Sequence, residues 1–132
     1  YLEPKYWKTT GCVCQLPYYL NAIAEMNKRI SQPSYYVFSD DIAWVKENLP
    51  LPKAFFIDWN KGAESWQDMM LMSRCRHHII CNSTFSWWGA WLNPRENKTV
   101  IMPERWFRHC ETPDICPDKW IKVPINQPDS IQ

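Results

Sequence analysis

His77-His78-Ile79-Ile80-Cys81-Asn82-Ser83-Thr84-Phe85-Ser86-Trp87-Trp88-Gly89-Ala90-Trp91-Leu92 changes character twice within one short run. The apolar Ile79, Ile80 and Cys81 read as a buried strand. Asn82, Ser83 and Thr84 form a polar knot, and the aromatic residues beyond it recur at helical spacing. A strand, a loop and a helix start in that order are where α/β sheets hold ligands, at the carboxyl ends of the strands. Ser83 or Thr84 is a natural N-cap. The free N–H groups of the first helical turn, with the hydroxyls of Thr84 and Ser86, suit a phosphate without any lysine. A plain cap fits the same residues, with Trp87, Trp88 and Trp91 serving only to pack.

Working outward, Pro17 is a good first helical residue, and Tyr19, Ile23, Met26 and Ile30 give one apolar face to a helix over 17–31. Residues 35–38 read as a strand closed by Ser39-Asp40-Asp41, and Ile42, Val45 and Leu49 resume helical spacing up to Pro50. The aspartates complement a helix dipole at that start. Residues 54–57 are the next strand, ending in Asp58-Trp59-Asn60-Lys61-Gly62, where Gly62 permits a positive backbone angle. Ser65 and Asp68 have capping-box spacing, and Met69, Met72 and Cys75 give that helix an inward face. After the tryptophan helix, which Asn93-Pro94 ends, residues 99–102 and 120–123 read as strands. The loop between them is anchored by Trp106 and Phe107. Helix, then strand and helix repeated, argues one α/β domain over 1–132 with a parallel sheet covered on both faces. Residues 1–15 read as an irregular lead-in and 124–132 as a flexible tail.

Composition excludes several classes. The 132 residues suffice for one domain with a real core. Three glycines allow neither a dinucleotide fingerprint nor a P-loop, and a net charge of +1 with interspersed signs leaves no footprint for nucleic acid. No leader or membrane span precedes the globular pattern, and a chain starting at Tyr1 reads as a fragment. Of the six cysteines, two fall inside helix and strand patterns, which argues against a disulfide scaffold. Neither Cys12-x-Cys14 nor His109, Cys110 and Cys116 has zinc spacing, so no metal is expected. The sequons at Asn82 and Asn97 are weak.

Three strand ends thus carry polar residues: Ser39 to Asp41, Asp58 to Lys61, and Asn82 to Ser86. In one parallel sheet these lie along one edge and converge on one crevice, a place for a nucleotide or nucleotide sugar.

The residues also resemble a known family. Val37-Phe38-Ser39-Asp40-Asp41 with Trp44, Asn60-Lys61-Gly62 with Glu64, Ser65, Asp68 and Met69, Leu71-Met72-Ser73, and the run from Asn82 to Leu92 are similar to bacterial α-1,2-fucosyltransferases. Cys14, Leu16, Tyr18, Tyr19, Ala22 and Ile23, and Pro103, Trp106, Pro117 and Trp120, extend the likeness over nearly the whole chain. The resemblance implies a GT-B-type glycosyltransferase of two Rossmann-like halves, this chain being the C-terminal half that holds GDP-fucose. The family's His-x-Arg-Arg-x-Asp motif is absent, and with it the arginine expected at the donor diphosphate and the acceptor-facing half.

The implied reaction moves fucose from GDP-fucose to a galactose-terminated glycan with inversion. It needs no cofactor beyond the donor substrate, in an enzyme that is cytoplasmic or peripheral to the membrane. Attack on the anomeric carbon leaves negative charge on GDP, so donors must be fixed at the diphosphate. The expected donor-binding residues are Ser39, Asp41, Asn82, Ser83, Thr84, Phe85 and Ser86. Asp58, Asn60, Lys61 and Glu64 form a second rank, and no catalytic residue is expected within this chain. Adjacent Asp40 and Asp41 point different ways, which favours Asp41 at a guanine edge over a metal pair. Two rivals stand beside this reading: a non-catalytic carbohydrate- or nucleotide-binding module built on tryptophan platforms, and a transferase using another nucleotide sugar.

Overall fold

The computed structural model describes residues 13–107 and 110–126. Most of the lead-in, Cys12, His109 and the end of the tail lie outside the described residues.

Helix α1 (Leu16–Arg29) carries Pro17 in its first turn and Lys28 and Arg29 in its last, each where the free backbone groups favour it. Its core face is Tyr18, Ala22, Ile23 and Met26, so Ile23 and Met26 of the expected stripe are buried while Tyr19 and Ile30 only flank the core. Tyr18 can be fully buried because its hydroxyl donates to the carbonyl of Ile80. Strand β1 (Tyr35–Phe38), helix α2 (Ile42–Asn48) and strand β2 (Ala54–Ile57) follow, and then helix α3 (Trp66–Arg74) after a 3-10 turn at Gly62–Glu64. Gly62 takes the positive angle expected of it, φ 58°. The Ser65–Asp68 capping box does not form: Ser65 is already helical, and the Asp68 carboxylate accepts instead from Asn60 Nδ2 at 2.8 Å. Strand β3 (His78–Ile79), helix α4 (Thr84–Trp91), strand β4 (Val100–Pro103) and strand β5 (Ile121–Val123) complete the order.

All strand pairings are parallel, as the alternation of elements requires. They form two ladders rather than one sheet: β1 with β2, and β3-β4-β5 with β4 in the centre. β4 is buried at every position. Its Ile101 faces α1 with Tyr18, Ala22, Met26 and Val123. Val100 and Met102 face the other way, onto Ile80, Ala90, Trp106 and Trp120. Each such side chain contributes about 1.5–3 kcal/mol by leaving water, so the three-stranded sheet is the stable centre.

The tryptophan helix departs most from expectation. Trp88 and Trp91 are 47% and 50% exposed, and the ring of Trp91 stacks on Trp87 rather than on the core. Burial in α4 falls on Ser86, Gly89 and Ala90, small residues that let α4 lie close to its neighbours; the space beside Gly89 is filled by Met72 of α3. The tryptophans that do close the core, Trp106 and Trp120, come from the loop after β4 and the approach to β5. Residues 124–126 are fastened rather than free: Asn21 Nδ2 donates to the carbonyls of Pro124 (3.0 Å) and Asn126 (2.9 Å). No helix among the described residues is long and apolar enough to cross a membrane.

Candidate functional site

Ser83 sits in extended conformation between β3 and α4 and is the N-cap, its Oγ accepting from Ser86 N at 3.5 Å. The amides of Ser83, Ser86 and Trp87 are satisfied by Cys81 O, Ser83 Oγ and Ser83 O. Those of Thr84 and Phe85 have no such partner among the described residues, and both residues are exposed. Two N–H donors therefore stand at the positive end of a helix dipole, an arrangement suited to an anionic oxygen. Ser86 does not join them. It is buried, and its single hydroxyl hydrogen is shared between Ser83 O (2.9 Å) and Cys81 O (3.2 Å). A hydroxyl has one proton to give, so in this arrangement Ser86 shapes the turn and leaves the donating to the backbone. Asn82 is likewise engaged, its Nδ2 donating to Trp106 O at 3.3 Å.

Past β1, Asp41 is the N-cap of α2: its Oδ1 accepts from Trp44 N at 3.0 Å, and its own N–H donates to Ser39 Oγ at 3.0 Å. The residue is exposed, and among the described residues Oδ2 makes no hydrogen bond, so the carboxylate caps and still presents an oxygen outward. Past β2, Asn60 is tied to Asp68, and Glu64 accepts from Gln67, while Asp58 and Lys61 are exposed. Phe38 pairs with Ile57, so the turns bearing Asp41 and Asn60 leave adjacent strand ends. The Ser83 turn belongs to the other ladder. No hydrogen bond among the described residues joins it to Asp41 or Asn60.

Sequence reading passed over three features. A cavity of about 300 Å³ lies under the loop after β4, with Met102, Glu104, Arg105, Trp106, Cys116 and Lys122 in its lining. Another, of about 380 Å³, opens at the opposite edge, between Trp91, Asn93 and Lys98 on one side and Asp118, Lys119 and Trp120 on the other. The third feature is a polar knot beneath α4. Asn93, 1% exposed, donates through Nδ2 to Cys75 O (2.8 Å) and bonds His78 Nε2 (2.9 Å), and its Oδ1 accepts from Arg95 N. Lys98 Nζ donates to Ala90 O (2.9 Å) and Asn93 O (2.7 Å), closing the carbonyl end of the helix. Burial, then the charges of Lys98, His77 and Arg95, push the His78 imidazole down to about 4. Asn93-Pro94 had marked only a helix end; the buried amide behind it leaves no periodic trace.

No cluster of metal-binding side chains occurs among the described residues, and Cys75, Cys110 and Cys116 carry free thiols.

Comparison with known proteins gives a consistent picture. The family model described as glycosyl transferase family 11 matches residues 1–123. The alpha-1,2-colitosyltransferase of Escherichia coli is 37% identical over 115 residues, 84% of this chain and 40% of that protein. The O-antigen biosynthesis glycosyltransferase WbnK of Escherichia coli is 38% identical over 112 residues, covering 84% and 37% of the two chains. Galactoside alpha-(1,2)-fucosyltransferase 2 of Bos taurus is 28% identical over 133 residues, 96% and 38%. The chain thus spans about two fifths of the length of these curated relatives. No solved structure matches it with significance.

Proposed function

The chain belongs to glycosyl transferase family 11, and on that premise we propose that it is the donor-binding half of a GT-B-type α-1,2-fucosyltransferase. In this reading GDP-fucose lies along the carboxyl edge of the strands, and its fucose passes with inversion to a galactose-terminated glycan. The single observation that carries the reading is the pair of N–H groups of Thr84 and Phe85 at the head of α4, which have no partner among the described residues. As the glycosidic bond to phosphate breaks, charge grows on the diphosphate oxygens, and fixed backbone dipoles stabilise it without reorganising. Asp41 is the base-recognising group: guanine offers adjacent N–H donors, which a carboxylate accepts with charge-assisted bonds. An acceptor-facing half is needed for transfer, so donor binding is the activity assigned to these 132 residues.

The Asp41→Asn variant tests this directly. Asparagine caps a helix about as well as aspartate, so the melting temperature should hold. GDP affinity should fall by about 2–3 kcal/mol, because an amide sets a donor against a donor. Equal GDP affinity in both proteins, or a wild type that binds UDP as tightly as GDP, would sink the guanine assignment. The similarity to a colitosyltransferase favours a second reading, in which the same site takes a colitosyl donor. Competition of the two sugar nucleotides at the wild-type chain separates them.

A further inference from the structure

Beyond β4 the chain folds back over the carboxyl edge of the three-stranded sheet, anchored by the buried ring of Trp106. Two hydrogen bonds fix this loop to both flanks of the Ser83 turn: Asn82 Nδ2 to Trp106 O, and Trp87 Nε1 to Ile115 O at 2.8 Å. The cavity beneath it, about 300 Å³, therefore keeps a set position beside the head of α4. Met102 pairs with Lys122 in the β4–β5 register, so both side chains rise from one face of the sheet into it. Lys122 makes no ion pair or hydrogen bond among the described residues. Its charge reaches the cavity wall, where burial pushes the Cys116 thiol up and Lys122 draws it back down. Three carboxylates stand nearby: Glu104, which accepts from Ile125 N at 3.2 Å, the exposed Glu111, and Asp118, whose charge raises the same Cys116 thiol; none of them forms an ion pair with Lys122 among the described residues.

We infer that this cavity receives the diphosphate end of the sugar nucleotide, with Lys122 as the cation facing it. The inference rests on the donor-binding reading above and adds residues to it. Lys122 is exposed and forms no ion pair or hydrogen bond among the described residues, and a lysine so placed at the wall of an open cavity on the ligand edge of a parallel sheet attracts an anion. A diphosphate is the anion the donor supplies. The lining stops short of residues 82–86, so the amides of α4 and the Lys122 ammonium act on different oxygens of one extended ligand.

The test titrates GDP, guanosine and inorganic pyrophosphate into the 132-residue chain and its Lys122→Met and Lys122→Arg variants, and maps alkylation of Cys116 by mass spectrometry. Lys122→Met should weaken GDP and pyrophosphate about tenfold at low salt, the size of a lost charged hydrogen bond at a partly open site. The loss should shrink as salt rises. Guanosine should bind equally to all three proteins, and Lys122→Arg should stay near wild type. GDP and pyrophosphate should slow Cys116 alkylation in wild type and not in Lys122→Met. If GDP binds Lys122→Met as tightly as wild type and Cys116 reacts at one rate throughout, the inference falls while the nucleotide reading stands. If pyrophosphate protects Cys116 but guanosine does not bind and GDP binds no better than pyrophosphate, the anion site stands and the guanine reading falls. A wild type that binds none of the three overturns both.

Discussion

Acid should loosen this protein through one buried imidazole. His78 is 6% exposed and bonds through Nε2 to the Asn93 amide, whose Nδ2 also donates to Cys75 O, so the ring is held neutral with Nε2 accepting. In the folded chain it titrates at about 4 against 6.5 for the free side chain. Because the folded value is the lower one, the unfolded chain binds the proton first, and stability falls as pH drops from 6.5 towards 4. That difference corresponds to about 3 kcal/mol once the fall is complete, and to about 2 kcal/mol by pH 5. For a chain of this size that is a drop in melting temperature of roughly 5–10 °C. His77 also titrates low, through burial and then Arg76, so the wild-type slope alone does not isolate His78. His78→Gln does, since a glutamine carbonyl still accepts from Asn93 and carries no proton in this range. Thermal melts of both proteins from pH 7.5 to 5 should give a steeper loss for wild type by about 2 kcal/mol. Parallel curves would refute the reasoning and show that the ring reaches water in the folded state.

Further expectations concern packing. A Cβ at Gly89 would stand 3.0 Å from Met72 Cβ, a rigid part of that side chain, so Gly89→Ala should cost about 1–3 kcal/mol by forcing α3 from α4; an unchanged urea midpoint would show that the helices adjust freely. Trp88→Ala should cost under about 1 kcal/mol, because the ring is half exposed. Trp120→Ala should cost about 3–5 kcal/mol as a core truncation. Equal destabilisation would restore the packing role that helical spacing suggests for the α4 tryptophans.

Element order was legible because period and punctuation agree in nearly every segment: Pro17 opens α1, Asp41 opens α2, Ser83 opens α4, and short β-branched or aromatic runs lie between. Family membership was legible too, from long ordered runs rather than isolated residues. What failed was direction around a helix axis. Trp88 and Trp91 have core spacing, yet the close approach of α3 at Gly89 and the pull of Ala90 toward Met102 turn the small residues inward. Similarly, Tyr18 outranks Tyr19 only because a carbonyl partner waits at Ile80, sixty-two positions away. The cavity under the β4 loop was not legible at all, since Met102 and Lys122 meet there through sheet register and not through any motif.

The split between the two ladders has a consequence for cooperativity. Between residues 31 and 76, which hold β1, α2, β2 and α3, the buried hydrophobic residues are Val45 and Ile57, while the others among the described residues lie in α1 and its lead-in or from Ile80 onward. A segment with so little interior surface opens on its own at lower free energy than the rest. Its amides should exchange with deuterium before those of β4, and the Asp41 wall should visit open states while the Ser83 turn stays closed. A nucleotide bound at both places would then act as a cross-brace, slowing exchange at β1 and β2 far more than at β4, and giving up part of its binding energy to order that flank.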